Sequence, residues 1–459
     1  MGKERESFKS RLGFILLSAG CAIGIGNVWR FPYVVGENGG GAFVLFYIFF
    51  LTVMGIPILT MEFAIGRASR KSVIGAYQEL EKKGQKWHLH GKVAMVGNYV
   101  LMMFYTTVAG WMLYYFYGFL TGKFVGAGTS QIEEQFNTML AEPKIMLFWM
   151  VIIVILGFIV CSFGLQNGVE RISKGMMVAL LIIMVALAAN SFFMKDGLEG
   201  IRFYLLPDWN KVQEIGLWNI IVAAMNQAFF TLSLGIGAMM IFGSYLNKEH
   251  TLLGESVTIA ALDTFVALVS GLIIFPACFS FGIRPDSGPS LIFLTLPNVF
   301  VNMSGGRIWG SLFFLFMSFA SFSTIIAVFE NIISCCMDSF EISRKKAVGV
   351  NIILIIFLSI PCIFGFNIWS GFHPLGGASN ILDLEDFVVS NLLLPFGSLI
   401  FLIFCNSRFG WGFENYRKEA NEGKGFKIPK SAKYYFAYVL PVLVFILMIQ
   451  GLIGIFLHS

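Results

Sequence analysis

The chain has 459 residues, of which 57% are hydrophobic and only 13% charged, against roughly 25% charged residues in soluble domains. That excludes a water-soluble globular protein, and about eleven helical spans of roughly 20 residues each would leave no length for a separate soluble domain. The net charge of +5 is spread over short loops between apolar runs, so no basic stripe forms and nucleic acid is not an expected partner.

Taken in chain order, apolar runs bounded by charged or Gly/Pro-rich segments predict helices over 11–36, 41–68, 91–121, 144–163, 168–193, 217–246, 254–283, 308–339, 345–366, 377–405 and 433–457. The expected fold class is an all-α integral membrane protein with eleven transmembrane helices, forming one unit over 1–459. An outer-membrane barrel is excluded, because its strands are runs of roughly 10 alternating residues. With the N-terminus on the inner side, 24 of the 32 Lys and Arg residues fall in inner segments and seven in outer ones, with Arg30 inside the first span. The positive-inside rule therefore predicts a cytoplasmic N-terminus. The start of the chain, ending Leu17-Ser-Ala-Gly-Cys21, lacks the pattern of a cleaved leader, and its apolar run continues through Ile23-Gly-Ile-Gly26. No removed targeting segment is expected. The seven cysteines lie in or beside apolar runs at spacings that fit no zinc motif, and the five histidines are scattered in loops and termini.

Two spans carry glycine clusters at membrane depth: Gly20-Cys-Ala-Ile-Gly24-Ile-Gly26-Asn27 in the first and Thr231-Leu-Ser233-Leu-Gly235-Ile-Gly237 in the sixth. Each glycine weakens a helix interior by about 0.8–1.0 kcal/mol relative to alanine. Close helix packing through small residues accounts for either cluster alone. Together they open two sets of five helices, 11–193 and 217–405, leaving 433–457 as an extra eleventh. That pairing predicts a 5+5 inverted repeat with broken helices 1 and 6 around a central site, where half-helix ends and freed carbonyls hold an anionic substrate and a cation. A nucleotide loop at Gly24-Ile-Gly26 is excluded, since no strand precedes it.

The string Arg11-Leu-Gly-Phe through Gly24-Ile-Gly-Asn-Val-Trp-Arg-Phe-Pro-Tyr33, then Glu37-Asn-Gly-Gly-Gly-Ala-Phe43, resembles the signature of the neurotransmitter:sodium symporter family, and in particular its bacterial amino acid:sodium symporters. The resemblance extends through Gln227-Ala-Phe-Phe-Thr-Leu-Ser-Leu-Gly235 and the Ser/Thr-rich eighth span. It implies a leucine-transporter-like fold and two sodium sites. The first would use the Ala22 and Thr231 carbonyls, the Asn27 side chain, the Thr231 hydroxyl, Asp263 and the substrate carboxylate. The second would use carbonyls of Gly20, Ile23 and Ala320 with the hydroxyls of Ser323 and Thr324. Bonding of those hydroxyls to the preceding helical turn is the plainer alternative.

Asp263 departs from the family's usual Asn. Chloride-dependent members complete an anion site nearby, whereas here the surroundings are Tyr47, Gln227, Thr231 and Ala267. The Asp263 carboxylate is therefore expected to supply the negative charge, so no chloride is expected, and its protonation during the cycle would move a proton outward. Gly24 stands where monoamine carriers place Asp, which implies an α-amino acid bringing its own carboxylate. That carboxylate would meet amides near Ile25 and Gly26 and the Tyr105 hydroxyl. The ammonium would meet carbonyls around Ala22, Phe230 and Thr231 and the Ser233 hydroxyl. Leu101, Tyr105, Phe230, Ser233, Ile236, Thr324 and Val328 would line an uncharged side-chain pocket suited to a hydrophobic or aromatic amino acid.

By the same resemblance, Arg30 pairs with Asp386, or with Glu385, above a closing Phe230. On the inner side Arg5 pairs with Asp338, with Phe8, Ser244 and Tyr245 around them; Phe8 replaces the family's usual Trp. Glu62 and Glu330 are expected to tie helices to unwound backbone. The spans contain no motif for an intramembrane enzyme. A proton-coupled amino acid permease of the same architecture is the alternative function, and the sequence leaves a homodimer open.

Overall fold

The computed structural model describes residues 6–194, 197–281 and 291–458. Among these residues the fold is all helix, with two isolated bridges, Gly40 to Pro207 and His250 to Lys424, as the extended pairings. Nine of the described helices are long and apolar enough to cross a bilayer. They are α2 (Gly41–Ser69), α3 (His88–Thr121), α4 (Pro143–Ser162), α5 (Leu165–Phe192), α7 (Leu252–Ser280), α8 (Gly306–Phe340), α9 (Arg344–Phe364), α10 (Ile381–Asn406) and α11 (Ala432–Ile453). The first span is a bent pair, α1a (Arg11–Ala22) and α1b (Gly26–Glu37), set at 55°. The sixth is two short helices, α6a (Leu217–Thr231) and α6b (Ala238–Ser244). Length and composition account for ten spans; the eleven expected from the sequence require α6a and α6b to be counted together.

Both breaks have local causes. After Ala22 the chain turns extended at Ile23 (φ −72°, ψ 93°). The Gly24 amide, which would extend the helix by bonding to the Gly20 carbonyl, donates to Asn27 Oδ1 at 3.2 Å instead. In the sixth segment Ser233, Gly235 and Gly237 take positive φ values of 51°, 103° and 69°. The glycines adopt this region freely, while Ser233 is held there at a cost on the order of 1–3 kcal/mol. Gly235 also allows a backbone approach: a methyl group there would collide with the Leu394 carbonyl, and one at Gly397 with the Gly235 carbonyl. Helix α10 reaches this contact through a wide turn over 388–393, just ahead of Pro395, whose missing N–H leaves the Asn391 carbonyl without its helical partner.

The broken segments sit in the middle of the molecule. Helix α8 carries buried residues from Gly306 to Cys336, and α1a packs on it and on α7 and α5. Helix α6b lies on α2 through glycines, since a methyl at Gly66 would strike the Met240 carbonyl and one at Gly243 the Phe63 carbonyl. Such small-residue contacts let membrane helices approach where no hydrophobic force drives them together. Helices α5, α9 and α11 are the least buried of the spans within the protein.

Candidate functional site

Asp263 of α7, fully buried, stands beside both breaks. Its Oδ1 accepts from Asn27 Nδ2 at 2.8 Å and its Oδ2 from the Thr231 hydroxyl at 3.0 Å, with the Tyr47 hydroxyl at 3.5 Å. Asn27 Nδ2 also reaches the Asp263 carbonyl at 3.2 Å. A carboxylate at this depth, with hydroxyl and amide donors and no basic side chain among the described residues in an ion pair with it, calls for a counter-charge. Gln227 faces elsewhere: its amide donates to the Gly26 carbonyl at 3.0 Å.

On the other side of α1a, Ser323 Oγ lies 2.8 Å from the Gly20 carbonyl, 3.3 Å from that of Ile23 and 2.8 Å from that of Ala320. Thr324 Oγ1 lies 3.2 Å from the Cys21 carbonyl and 3.4 Å from that of Gly20. Two hydroxyl protons cannot satisfy four carbonyls, and the Gly20 carbonyl has lost its helical donor to Asn27. Converging surplus oxygen is what a hard monovalent cation requires, and no group of three His, Cys, Asp or Glu side chains suited to a transition metal forms among the described residues.

Between these two oxygen clusters lies a cavity lined by Ala22, Gly24, Gly26, Leu101, Tyr105, Phe230, Ser233 and Thr324, together with Val389 and Leu394 of α10. The Tyr105 hydroxyl accepts from the Ile25 amide at 2.9 Å. A methyl at Gly24 would collide with that hydroxyl and with Thr324 Oγ1, so the position admits glycine alone in this arrangement. Ile25, Thr231, Ile236 and Val328 are near but do not line the cavity. Ile236 turns its carbonyl to Asn98 Nδ2 at 2.9 Å and its side chain toward Gly97, and Val328 is buried in the core. Val389 and Leu394 went unread because the wide turn that aims them inward is a backbone feature; Pro395 was its signal in the sequence.

Above the cavity the Arg30 guanidinium lies 4.2 Å over the Phe230 ring, a cation–π contact. Arg30 and Asp386, the expected gate partners, are linked through a side chain and form no ion pair with each other. Arg30 Nη1 reaches Ser390 Oγ at 3.4 Å, and that hydroxyl donates to Asp386 Oδ1 at 2.7 Å, so a serine one turn along α10 carries the link. Glu385, the other proposed partner, is buried and forms no ion pair with Arg30.

On the face that carries the N-terminus, Arg5 lies outside the described residues. Asp338 accepts from the Ser72 amide at 2.8 Å. Phe8 meets Tyr245 edge-on at 5.9 Å between ring centroids. Ser244 is buried beside them, its carbonyl accepting from Arg70 Nη1 at 3.2 Å. The Tyr245 hydroxyl donates to Glu330 Oε1 at 2.9 Å, and Arg344 grips both Glu330 oxygens at 2.7 and 2.9 Å. Glu330 therefore departs from its expected role: among the described residues it bonds Tyr245, Ser334 and Arg344 and no unwound backbone. Glu62 does hold it, accepting from the Gly235 amide at 2.7 Å.

The chain matches the family described as the sodium:neurotransmitter symporter family over residues 5–142 and 131–456. It belongs to that family. The symporter is similar to the sodium-dependent transporter YhdH of Bacillus subtilis, 32% identical over 97% of both chains. It is also similar to a sodium-dependent transporter of Haemophilus influenzae, 32% identical over 98% of this chain and 99% of the other. Among solved structures it resembles that of MhsT in complex with L-phenylalanine, with TM-score 0.88 and 34% identity, covering 98% of this chain and all of the other. The symporter is thus a multi-pass, sodium-dependent membrane transporter and not an enzyme, with the all-α fold and two broken segments expected from its sequence.

Proposed function

We propose that this symporter carries a hydrophobic or aromatic L-amino acid inward with two sodium ions across the plasma membrane, the inner membrane of a bacterium, with its N-terminus cytoplasmic. The observation that carries the reading is the uncharged cavity at Gly24, flanked on both sides by surplus oxygen. The substrate must bring its own carboxylate, and the phenylalanine in the MhsT complex supports an apolar side chain. One sodium ion would sit among Ala22, Asn27, Thr231 and Asp263, and the second among Gly20, Ile23, Ala320, Ser323 and Thr324. Because the substrate carboxylate completes the first ion's shell, each ligand raises affinity for the other. Every sodium entering adds about 2.3 kcal/mol per 100 mV of membrane potential.

The repeats 11–193 and 217–405 would then rock about the fixed midplane site. The Arg30–Ser390–Asp386 link with Phe230 serves as the outer gate. The contacts of Phe8, Tyr245, Glu330 and Arg344, with Arg5 and Asp338, serve as the inner one. Asp263 stands in for chloride, in keeping with Ala267, which offers no hydroxyl, and with a Gln227 amide engaged elsewhere. The deciding experiment is binding of each of the twenty amino acids to purified protein in sodium and in potassium. Capture of an apolar amino acid in sodium alone is expected, and equal capture in potassium would overturn the reading. Uptake from sodium-free acid buffer would instead favour a proton-coupled carrier, with Asp263 bearing the proton. Loss of uptake on chloride removal would overturn the role given to Asp263.

A further inference from the structure

We propose that the loop between α10 and α11 binds anionic phospholipid headgroups through Lys424, Lys427, Lys430 and Lys433, and thereby fastens the face bearing the N-terminus to the membrane surface. The loop's own acids are spent. Glu419 pairs with Arg67 at 2.6 Å and Lys248 at 3.3 Å, Glu422 with Lys248 at 2.9 Å, and Glu414 with Arg417 at 3.6 Å. The four lysines are all exposed, and none forms an ion pair with a described residue. They recur every third residue immediately before and into the start of α11, where the chain enters the bilayer. Phe426 stands between the first two, 68% exposed, and Tyr434 follows the last, 71% exposed. Exposed aromatic rings among unpaired lysines match the boundary between headgroups and acyl chains, with stems and rings buried and ammonium groups at phosphate level.

The lysines stand on ordered backbone. Asn421 brackets Ile428, accepting from its amide at 2.6 Å and donating to its carbonyl at 3.0 Å. The Lys424 amide donates to the Glu249 carbonyl at 2.9 Å, and the Thr251 amide to the Lys424 carbonyl at 3.2 Å. Arg67, at the end of α2, is held by the Glu419 carboxylate and carbonyl and by the His250 carbonyl. The same loop also accepts from Lys82, Gln85 and Trp87 through the Arg408 and Phe409 carbonyls. A headgroup bound here therefore pulls on a strap that joins the ends of α2, α6b, α7 and α3, whichever amino acid is carried.

The test uses the purified full chain in detergent micelles titrated with phosphatidylglycerol or with phosphatidylcholine, reading the melting temperature. Phosphatidylglycerol alone should raise it, and 0.5 M potassium chloride should abolish the rise. The variant K424Q/K427Q/K430Q/K433Q should lose apparent affinity for phosphatidylglycerol by about fivefold per lysine. A variant neutralising four lysines at other loops and helix starts on this face, K83Q/K86Q/K345Q/K346Q, should keep it. Replacing the four loop lysines with arginine should preserve the response and guards against a glutamine variant that fails to fold. Glycerol phosphate in solution should have no effect; an equal effect would assign the site to a soluble anion and overturn the lipid. A salt-insensitive response, an unchanged quadruple glutamine variant, or equal loss in the other-loop variant would also overturn the proposal.

Discussion

Replacing Gly24 with alanine tests the centre of the site. The added methyl would lie 2.5 Å from Thr324 Oγ1 and closer still to the Tyr105 hydroxyl, where ordinary contact begins near 3.4 Å. Both must retreat by about 1 Å, and the tyrosine hydroxyl is at the far end of its side chain. Moving it breaks the 2.9 Å bond to the Ile25 amide and leaves a buried N–H without a partner, worth about 1–3 kcal/mol. Amino acid affinity should therefore fall by about 5- to 150-fold in sodium-dependent binding of a labelled apolar amino acid. Sodium binding at the Asp263 site, measured without amino acid, should change little, because Asn27, Thr231 and Asp263 are untouched, whereas its enhancement by the amino acid should shrink in step. Unchanged amino acid affinity would refute the geometry. Equal loss of sodium binding at the Asp263 site in the absence of amino acid would refute the division into separate sites.

Ser323→Ala removes one oxygen from the cluster on α1a while leaving the carbonyls, and should raise the sodium concentration for half-maximal binding about tenfold, as read by sodium titration of amino acid binding. Glu330→Gln breaks a buried pair with Arg344, a loss of about 3–5 kcal/mol for the closed arrangement; faster thiol labelling of buried Cys161, whose carbonyl Arg344 also holds, would report the opening. Lys248 is held above its ordinary value mainly by Glu422, and Glu422 below its own by Lys248. The glutamate's contribution is present above its unfolded pKa and lost as pH falls through the folded one, while the lysine's is lost only as pH rises through its raised value. Between pH 6 and 9 both stay charged, so Lys248→Met should leave the pH dependence of the melting temperature flat there.

The fold was readable where the bilayer imposes it. Long apolar runs bounded the spans to within a few residues, and the glycines at 24, 26, 235 and 237 marked both breaks, because a helix interior tolerates such clusters only with a reason. Side-chain pairing was less readable. Arg30 and Ser390 are 360 positions apart, and nothing local distinguishes Ser390 from the hydroxyls that merely bond to their own helix. Glu330 falls in an apolar span, but its partner is not legible there, because Arg344 looks like an ordinary loop charge until the turn into α9 brings it back. Val389 and Leu394 needed the extra residue of a wide turn, which shifts every following side chain around the helix and which periodicity alone does not count.

Where Gly24 and Gly26 line the cavity, its wall is made of main chain alone. Main-chain atoms are the same whatever the residue, so that wall can grip the invariant part of any amino acid but cannot be retuned by point substitution. Preference among cargoes must then be written in the lining side chains, Leu101, Phe230, Val389 and Leu394 foremost, and a redesign that leaves those alone should leave the menu of the carrier as it was.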